Sequence, residues 1–341
     1  MRRLTILAAC AVAGLTVLAA GPALANGHPR ANGVPGAANF PAWRLVWKGP
    51  NAGLNGLAAI SANEAWAAGI NSRAQGYMLR WNGHRWRSVA LPVSGFIPLS
   101  LQASSATNVW LFGDIGGPAA FRWDGSHWHR MTLPAAGLCG PYLILSRIDI
   151  WAYGGPTCGQ LEHLHGSTWT AISLPRDFSP KSLSGSSDTN IWVAGHLDSD
   201  SGTGPIVAYR WTGRSWSRAH LAHMGQGATA EVVAVSPANV WVVNTWVWHP
   251  RPAHWNGKSW TSEPPPPSAL DAGVPVVPYG RSGIRVGVMS IWTGRRWLFG
   301  AAPDNGANAL LSPIPASTAA WMAGSEILPH TGLTAELLYS P

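Results

Sequence analysis

The sequence predicts an all-β fold, a seven-bladed β-propeller of four-stranded antiparallel blades whose ring is closed by an N-terminal strand that completes the last blade. Three observations predict it. A Trp-bearing unit recurs along the chain, with its first Trp position at Trp66, Trp110, Trp151, Trp192, Trp241, Ile284 and Trp321. The last unit lacks its outer strand, and a segment of matching pattern precedes the first complete unit. Four short strands in a unit of about 40–45 residues is the signature of a propeller blade.

Each strand of the unit has its own reason. In the first unit Gly56-Leu57-Ala58-Ala59-Ile60 is small and apolar, which suits a crowded innermost strand. Ala65 to Gly69 forms the second strand and Tyr77 to Trp81 the third. Asn82-Gly83 takes positive φ at low cost and turns the chain into a hairpin. Arg85 to Ala90 is the outer strand, with Trp81 and Trp86 on one face of the hairpin. A glycine three residues after the first Trp recurs as Gly69, Gly113, Gly154, Gly195, Gly287 and Gly324, and Asn244 is the exception. The hairpin glycine recurs as Gly83, Gly125, Gly166, Gly213, Gly257 and Gly294, each three residues before a Trp.

The ring closes through the chain's two ends. Ala42-Trp43-Arg44-Leu45-Val46 aligns with Arg85-Trp86-Arg87-Ser88-Val89, so residues 42–46 are expected to supply the missing outer strand after Ala335 to Tyr339. Closure of this kind leaves few exposed sheet edges. Residues 40–341 are therefore read as one propeller domain. Residues 26–39 form a small, Gly/Pro-bearing lead-in, read as flexible. Pro264 to Pro267 is a stiff connector between the fifth and sixth units.

Residues 1–25 read as a secretory signal peptide. Arg2 and Arg3 give the positive start, Leu4 to Ala20 the apolar run, and Ala23-Leu24-Ala25 the small-x-small cleavage site. Leu7-Ala8-Ala9-Cys10 also matches a lipid-attachment pattern, but Cys10 lies inside the apolar run rather than after it. No later segment is apolar and long enough to span a bilayer. The expected location is secreted, either extracellular or cell-wall associated.

Composition narrows the function classes. Hydrophobic residues make up 46% of the 341 and charged residues 11%, which suits a packed core and excludes a disordered chain. The net charge is +8, but the basic residues are scattered and no run tracks a phosphate backbone. Nucleic acid is not an expected partner. A basic surface outside the cell favours acidic polymers by general attraction. Beyond the leader, Cys139 and Cys158 are the remaining cysteines, and in an exported chain they are expected to pair.

Asn190-Ile191-Trp192-Val193-Ala194-Gly195 and His254-Trp255-Asn256-Gly257-Lys258-Ser259-Trp260 resemble a repeat of exported bacterial propellers. That group is similar to the kelch and galactose-oxidase-like propellers and to those with Asp-box repeats. The resemblance spans residues 40–341 and implies the fold, not a function. Kelch units carry a double glycine where most units here have one. An Asp-box has Asp two residues before Gly, whereas Asp124-Gly125 is adjacent. The copper ligands of galactose oxidase have no counterpart, so no cofactor is expected.

Of the 21 tryptophans, 18 fall on repeat positions and are read as rings packed between blades. Trp47, Trp246 and Trp248 lie off the pattern, and Trp47 extends the closing strand. Trp246 and Trp248, with His249 and Arg251, follow the irregular Asn244 in the loop between the second and third strands of the fifth blade. Two rings at period 2 beside a His and an Arg suit a stacking platform for a sugar or peptide; the alternative is a lengthened strand whose rings cover a neighbouring loop. The fourth unit's long loop adds His196, Asp198 and Asp200. Asp198-x-Asp200 is a fragment of a calcium loop without its further ligands, so no metal site is assigned. His163-Leu164-His165 and His127-Trp128-His129 pair imidazoles on one strand face but lack further ligands. Catalysis finds little support: six glutamates, no spacing that picks out an acid/base pair, and no Ser-His-Asp elbow. The reading is a non-enzymatic, monomeric binding propeller for an extracellular glycan, cell-wall polymer or protein. Its rivals are a carbohydrate-active enzyme and a purely structural surface protein.

Overall fold

Alternation of small apolar residues with turn signals every few residues produces short strands and little else. The computed structural model describes residues 39–341 apart from 51, 136, 156, 198–201, 248–249, 267–272, 302, 304–309 and 329–331. The predicted leader 1–25, and the lead-in 26–39 except its last residue, lie outside the described residues. Seven four-stranded antiparallel sheets follow one another along the chain. The first blade is Ala52–Ser61, Glu64–Asn71, Gly76–Trp81 and Trp86–Val89. The seventh is Leu310–Pro313, Ala320–Leu328 and Gly332–Ser340, with Arg44–Pro50 as its outermost strand.

That last pairing is the ring closure. Arg44 lies opposite Tyr339 and Pro50 opposite Thr334, with a register shift between Leu45 and Trp47. The closing strand therefore runs 44–50, further along the chain than the predicted 42–46. Trp47 belongs to it, and Trp43 sits just ahead with its Nε1 donating to Val288 O at 2.9 Å. The segment before the strand is anchored as well. Ser340 Oγ donates to Pro41 O at 3.0 Å, and the buried Arg285 donates to Ser340 Oγ at 3.0 Å. The Arg285 guanidinium lies 4.6 Å from the centre of the Trp43 ring and 5.6 Å from that of Phe40.

The repeat tryptophans form the seams between blades. Trp66 of the first blade meets Trp123 and Trp128 of the second, each at 5.7 Å between ring centroids. Trp321 of the seventh meets Trp81 and Trp86 of the first at 5.1 and 5.0 Å. Within five of the hairpins the pair faces directly, as Trp81 opposite Trp86 and Trp123 opposite Trp128; in the third blade Trp169 faces Leu164 instead. Tilted and edge-on ring contacts suit the quadrupole of each ring, and they place the largest apolar areas where sheets meet.

The repeat glycine has a steric reason. A Cβ at Gly69, Gly113 or Gly195 would overlap the first-strand carbonyl oxygen of Gly53, Ile97 or Ser179. In those blades the innermost strand carries a register shift beside that carbonyl, between Leu54/Gly56, Pro98/Ser100 and Pro180/Ser182. The bulge presses one backbone against the next, and only glycine fits.

Two faces result. Turns between first and second strands share a face with the hairpins between third and fourth strands, since a Cβ at Gly83 would meet Asn63 and one at Gly257 would meet Ala238. This is called the hairpin face below. The loops between second and third strands, with the blade-to-blade connections, lie on the opposite face.

Candidate functional site

The opposite face holds the segment that breaks the repeat. In the fifth blade the innermost strand, Glu231–Ser236, begins at the residue opposite Val243. No strand backbone therefore crosses the position where the other blades need glycine, and Asn244 fits there. Its buried side chain replaces the missing ladder: Asn244 Nδ2 donates to Met224 O at 2.8 Å and Gln226 O at 3.1 Å. Its Oδ1 accepts from the amide of Trp246 at 3.1 Å. Asn244 is thus a scaffold residue that fixes the start of the loop, not a ligand contact.

The surrounding pieces are tied into one ridge. Gln226–Gly227 pairs with Gly204–Pro205, so the fourth blade's loop end joins the connection into the fifth blade. Thr245 Oγ1 donates to Thr229 Oγ1 at 3.1 Å, and Gly273 N donates to Thr245 O at 2.8 Å. A loop held at this many points loses little freedom when it engages a ligand.

The predicted site residues fall as follows. Trp246 sits at the turn on this ridge with 46% of its surface exposed, unlike the first-position tryptophans of the repeat, which are buried. Arg251 is exposed, between the buried Pro250 and Pro252. His196 is buried, with its Nδ1 at 3.1 Å from Leu197 O, and lies beneath the Gly204 end of the same ridge. Trp248, His249, Asp198 and Asp200 lie outside the described residues. Cys139 and Cys158 form a disulfide with 5.9 Å between Cα atoms. It ties the innermost strand of the third blade to that blade's loop on the same face.

One residue that sequence reasoning passed over is Glu231. No hydrogen-bond donor among the described residues reaches its carboxylate, and burial pushes its pKa up to about 8. Burial first, and the Glu231 charge second, raise the Tyr153 phenol far above its ordinary value; that hydroxyl donates to Ser182 O at 2.9 Å. A lone glutamate opening an otherwise apolar strand, Glu231-Val232-Val233-Ala234-Val235, is the signal that could have singled it out.

The histidine pairs are accounted for structurally. His163 stacks on Trp151 at 3.8 Å and its Nε2 lies 2.9 Å from Asp149 Oδ1. His129 Nε2 lies 2.6 Å from Asp124 Oδ2, itself held by the turn amides of Ser126 and His127. Among the described residues no group of three His, Cys, Asp or Glu side chains is placed to hold a metal ion. No described helix is long and apolar enough to cross a membrane.

No protein-family model and no curated protein matches the chain. Solved structures match over most of its length. The structure of YCF48 bound to D1 peptide is 13% identical and covers 88% of this chain and 96% of that one, at a TM-score of 0.57. YCF48 from Cyanidioschyzon merolae is 15% identical, with 88% and 98% covered and a TM-score of 0.54. The WD40 β-propeller domain of Doa1 is 8% identical, with 88% and 97% covered and a TM-score of 0.56. At such identities the likeness is one of fold.

Proposed function

We propose that this protein is a secreted, non-enzymatic binding propeller whose partner is an extracellular glycan, cell-wall polymer or protein. We also read it as one of the exported bacterial propellers related to the kelch and galactose-oxidase-like groups, on the strength of the Trp/Gly repeat. Secretion rests on the N-terminal leader pattern and agrees with the Cys139–Cys158 disulfide. Binding rests on one observation: Trp246 breaks the repeat, stands exposed, and is mounted on a ridge fixed by Asn244. An exposed aromatic ring and an exposed cation five residues on, Arg251, offer a flat face for a sugar or peptide and a charge to orient it. Trp248, His249, Asp198 and Asp200 are assigned to the same surface from their positions in the sequence, with His196 as support beneath. The fold accommodates such a role, since a propeller of similar fold was solved with a peptide bound.

A second reading, a carbohydrate-active enzyme, rests on Glu231, whose raised pKa would keep a carboxylic acid protonated near neutrality. A glycan and cell-wall binding array, run beside a polysaccharide-hydrolysis screen, separates the two. Binding without turnover is the expected result. Turnover that disappears in Glu231→Gln would establish the enzyme instead.

A further inference from the structure

The hairpin face, remote from Trp246 by topology, carries a concentration of charge that neither the fold nor the proposed site uses. We infer that this face is a second binding surface, and that its ligand is an anionic extracellular polysaccharide.

The hairpins between third and fourth strands present Arg85, Arg214, Lys258, Arg295 and Arg296 one or two residues after their glycines, all exposed. The turns beneath them are fixed from within. Asn82 Oδ1 accepts from the amides of His84 and Arg85, and Asn256 Oδ1 from those of Lys258 and Ser259, at 3.0–3.1 Å. Thr293 Oγ1 accepts from the amide of Arg296 at 3.2 Å. Turn geometry is thereby satisfied by the residue before each glycine, which leaves the cationic side chains free.

Two more cations complete the array from the neighbouring turns. The third blade's hairpin holds no Lys or Arg, but Gly166 N donates to Ile148 O at 2.9 Å, which brings Arg147 beside it. Arg281 O accepts from Asn239 Nδ2 at 2.7 Å, so the fifth and sixth blades meet there. Lys258, Arg281, Arg295 and Arg296 therefore form one sector over two adjacent blades. None of these cations is in an ion pair among the described residues.

The acids of this face are already engaged. Glu64 pairs with Arg80 at 2.6 Å, Asp149 with His163 at 2.9 Å, and Asp124 with His129 at 2.6 Å. Asp188 is the remaining exposed carboxylate among the described turns. The balance is strongly positive, and an array of separate charges favours a ligand that repeats its own. Ser167, Ser215 and Ser259 stand exposed on these hairpins and supply hydroxyls that suit a sugar chain. A lipid surface is a poorer match. Ile148 is the one large exposed hydrophobic of the described turns on this face, too little apolar area to enter a bilayer.

The test uses sodium polygalacturonate as probe and the whole chain as binder, titrated at low and raised salt. The wild type is expected to bind, more weakly as salt rises. The quadruple variant K258Q/R281Q/R295Q/R296Q is expected to bind at least about tenfold more weakly, with a shallower salt dependence and unchanged melting. Trp246→Ala is expected to bind the probe as the wild type does, which separates this surface from the ridge. The inference fails if the wild type prefers neutral dextran, if the quadruple variant binds unchanged, or if Trp246→Ala abolishes binding. Binding to phosphatidylglycerol vesicles without binding to polygalacturonate would also overturn it, in favour of a membrane.

Discussion

The guanidinium of Arg80 lies 4.7 Å from the centre of the Trp66 ring and is held by Glu64 at 2.6 Å. Trp66 and Arg80 are direct cross-strand partners, and the same pair of positions recurs around the ring. His163 stacks on Trp151 and is held by Asp149; His254 stacks on Trp241 at 4.0 Å and is held by Asn239 at 3.0 Å. The first, third and fifth blades thus cap their seam tryptophan with a flat or cationic side chain, fixed by the polar residue two places before the Trp. Arg80→Ala is expected to lower stability by about 1 kcal/mol in a denaturant titration. A change above about 3 kcal/mol would mean that Arg80 holds more than this stack.

The seam itself should matter more than any cap. Trp192 is buried against Trp260 at 5.5 Å, and Trp192→Ala is expected to cost about 3–5 kcal/mol. Replacing Trp246 and Trp248 together by Ala is expected to leave melting nearly unchanged and to weaken ligand binding at least about tenfold, which is about 1.4 kcal/mol. Unfolding by the double replacement, with residual binding intact, would make these rings part of the core.

Glu231 gives a pH dependence whose sign follows from its burial. Its carboxyl titrates near 8 in the folded chain, against an ordinary glutamate value of about 4.3 in the unfolded one. The folded state therefore holds the extra proton between these values. The contribution of Glu231 is favourable in acid and lost progressively as pH rises from about 4 to about 8. Glu231→Gln is accordingly expected to raise stability relative to wild type at pH 8, with the difference vanishing near pH 4. Parallel pH–stability curves for the two proteins would contradict this.

The disulfide closes a loop of 19 residues. Its removal by Cys139→Ala with Cys158→Ala is expected to cost about 3 kcal/mol in the chain-entropy picture. The loss should be visible as a lower denaturation midpoint with the propeller's circular dichroism retained.

The repeat made the fold readable because each recurring residue answers a local demand. Trp81 and Trp86 had to face each other across a turn, and Asn82-Gly83 had to make that turn. Closure was readable because Trp43 matched Trp86, although the strand came out two residues later at its start. The site was read less well. Asn244 stands out in sequence as the one break in the repeat glycine, and it compensates for an innermost strand that starts late, at Glu231. Nothing in the spacing of residues reports where a neighbouring strand begins. The burial of His196 was equally invisible, because it depends on the packing of Gly204 across the sheet. The hairpin cations were scattered in sequence and became a sector only when the turns were brought onto one face.

Arg44–Pro50 is hydrogen-bonded to Gly332–Ser340, and Ser340 also reaches Pro41, 299 positions away. During synthesis the first strand of the ring must wait, unpaired, until the last has been made. Blades one to six can each zip from local partners, but the seventh is assembled from opposite ends of the polypeptide. A product arrested after Phe299 but before residue 332 would keep six four-stranded blades and two raw edges, one on each side of a gap. Such a species is primed to add a strand from a second molecule, so open-ended oligomers are the expected failure of this fold rather than a loose monomer.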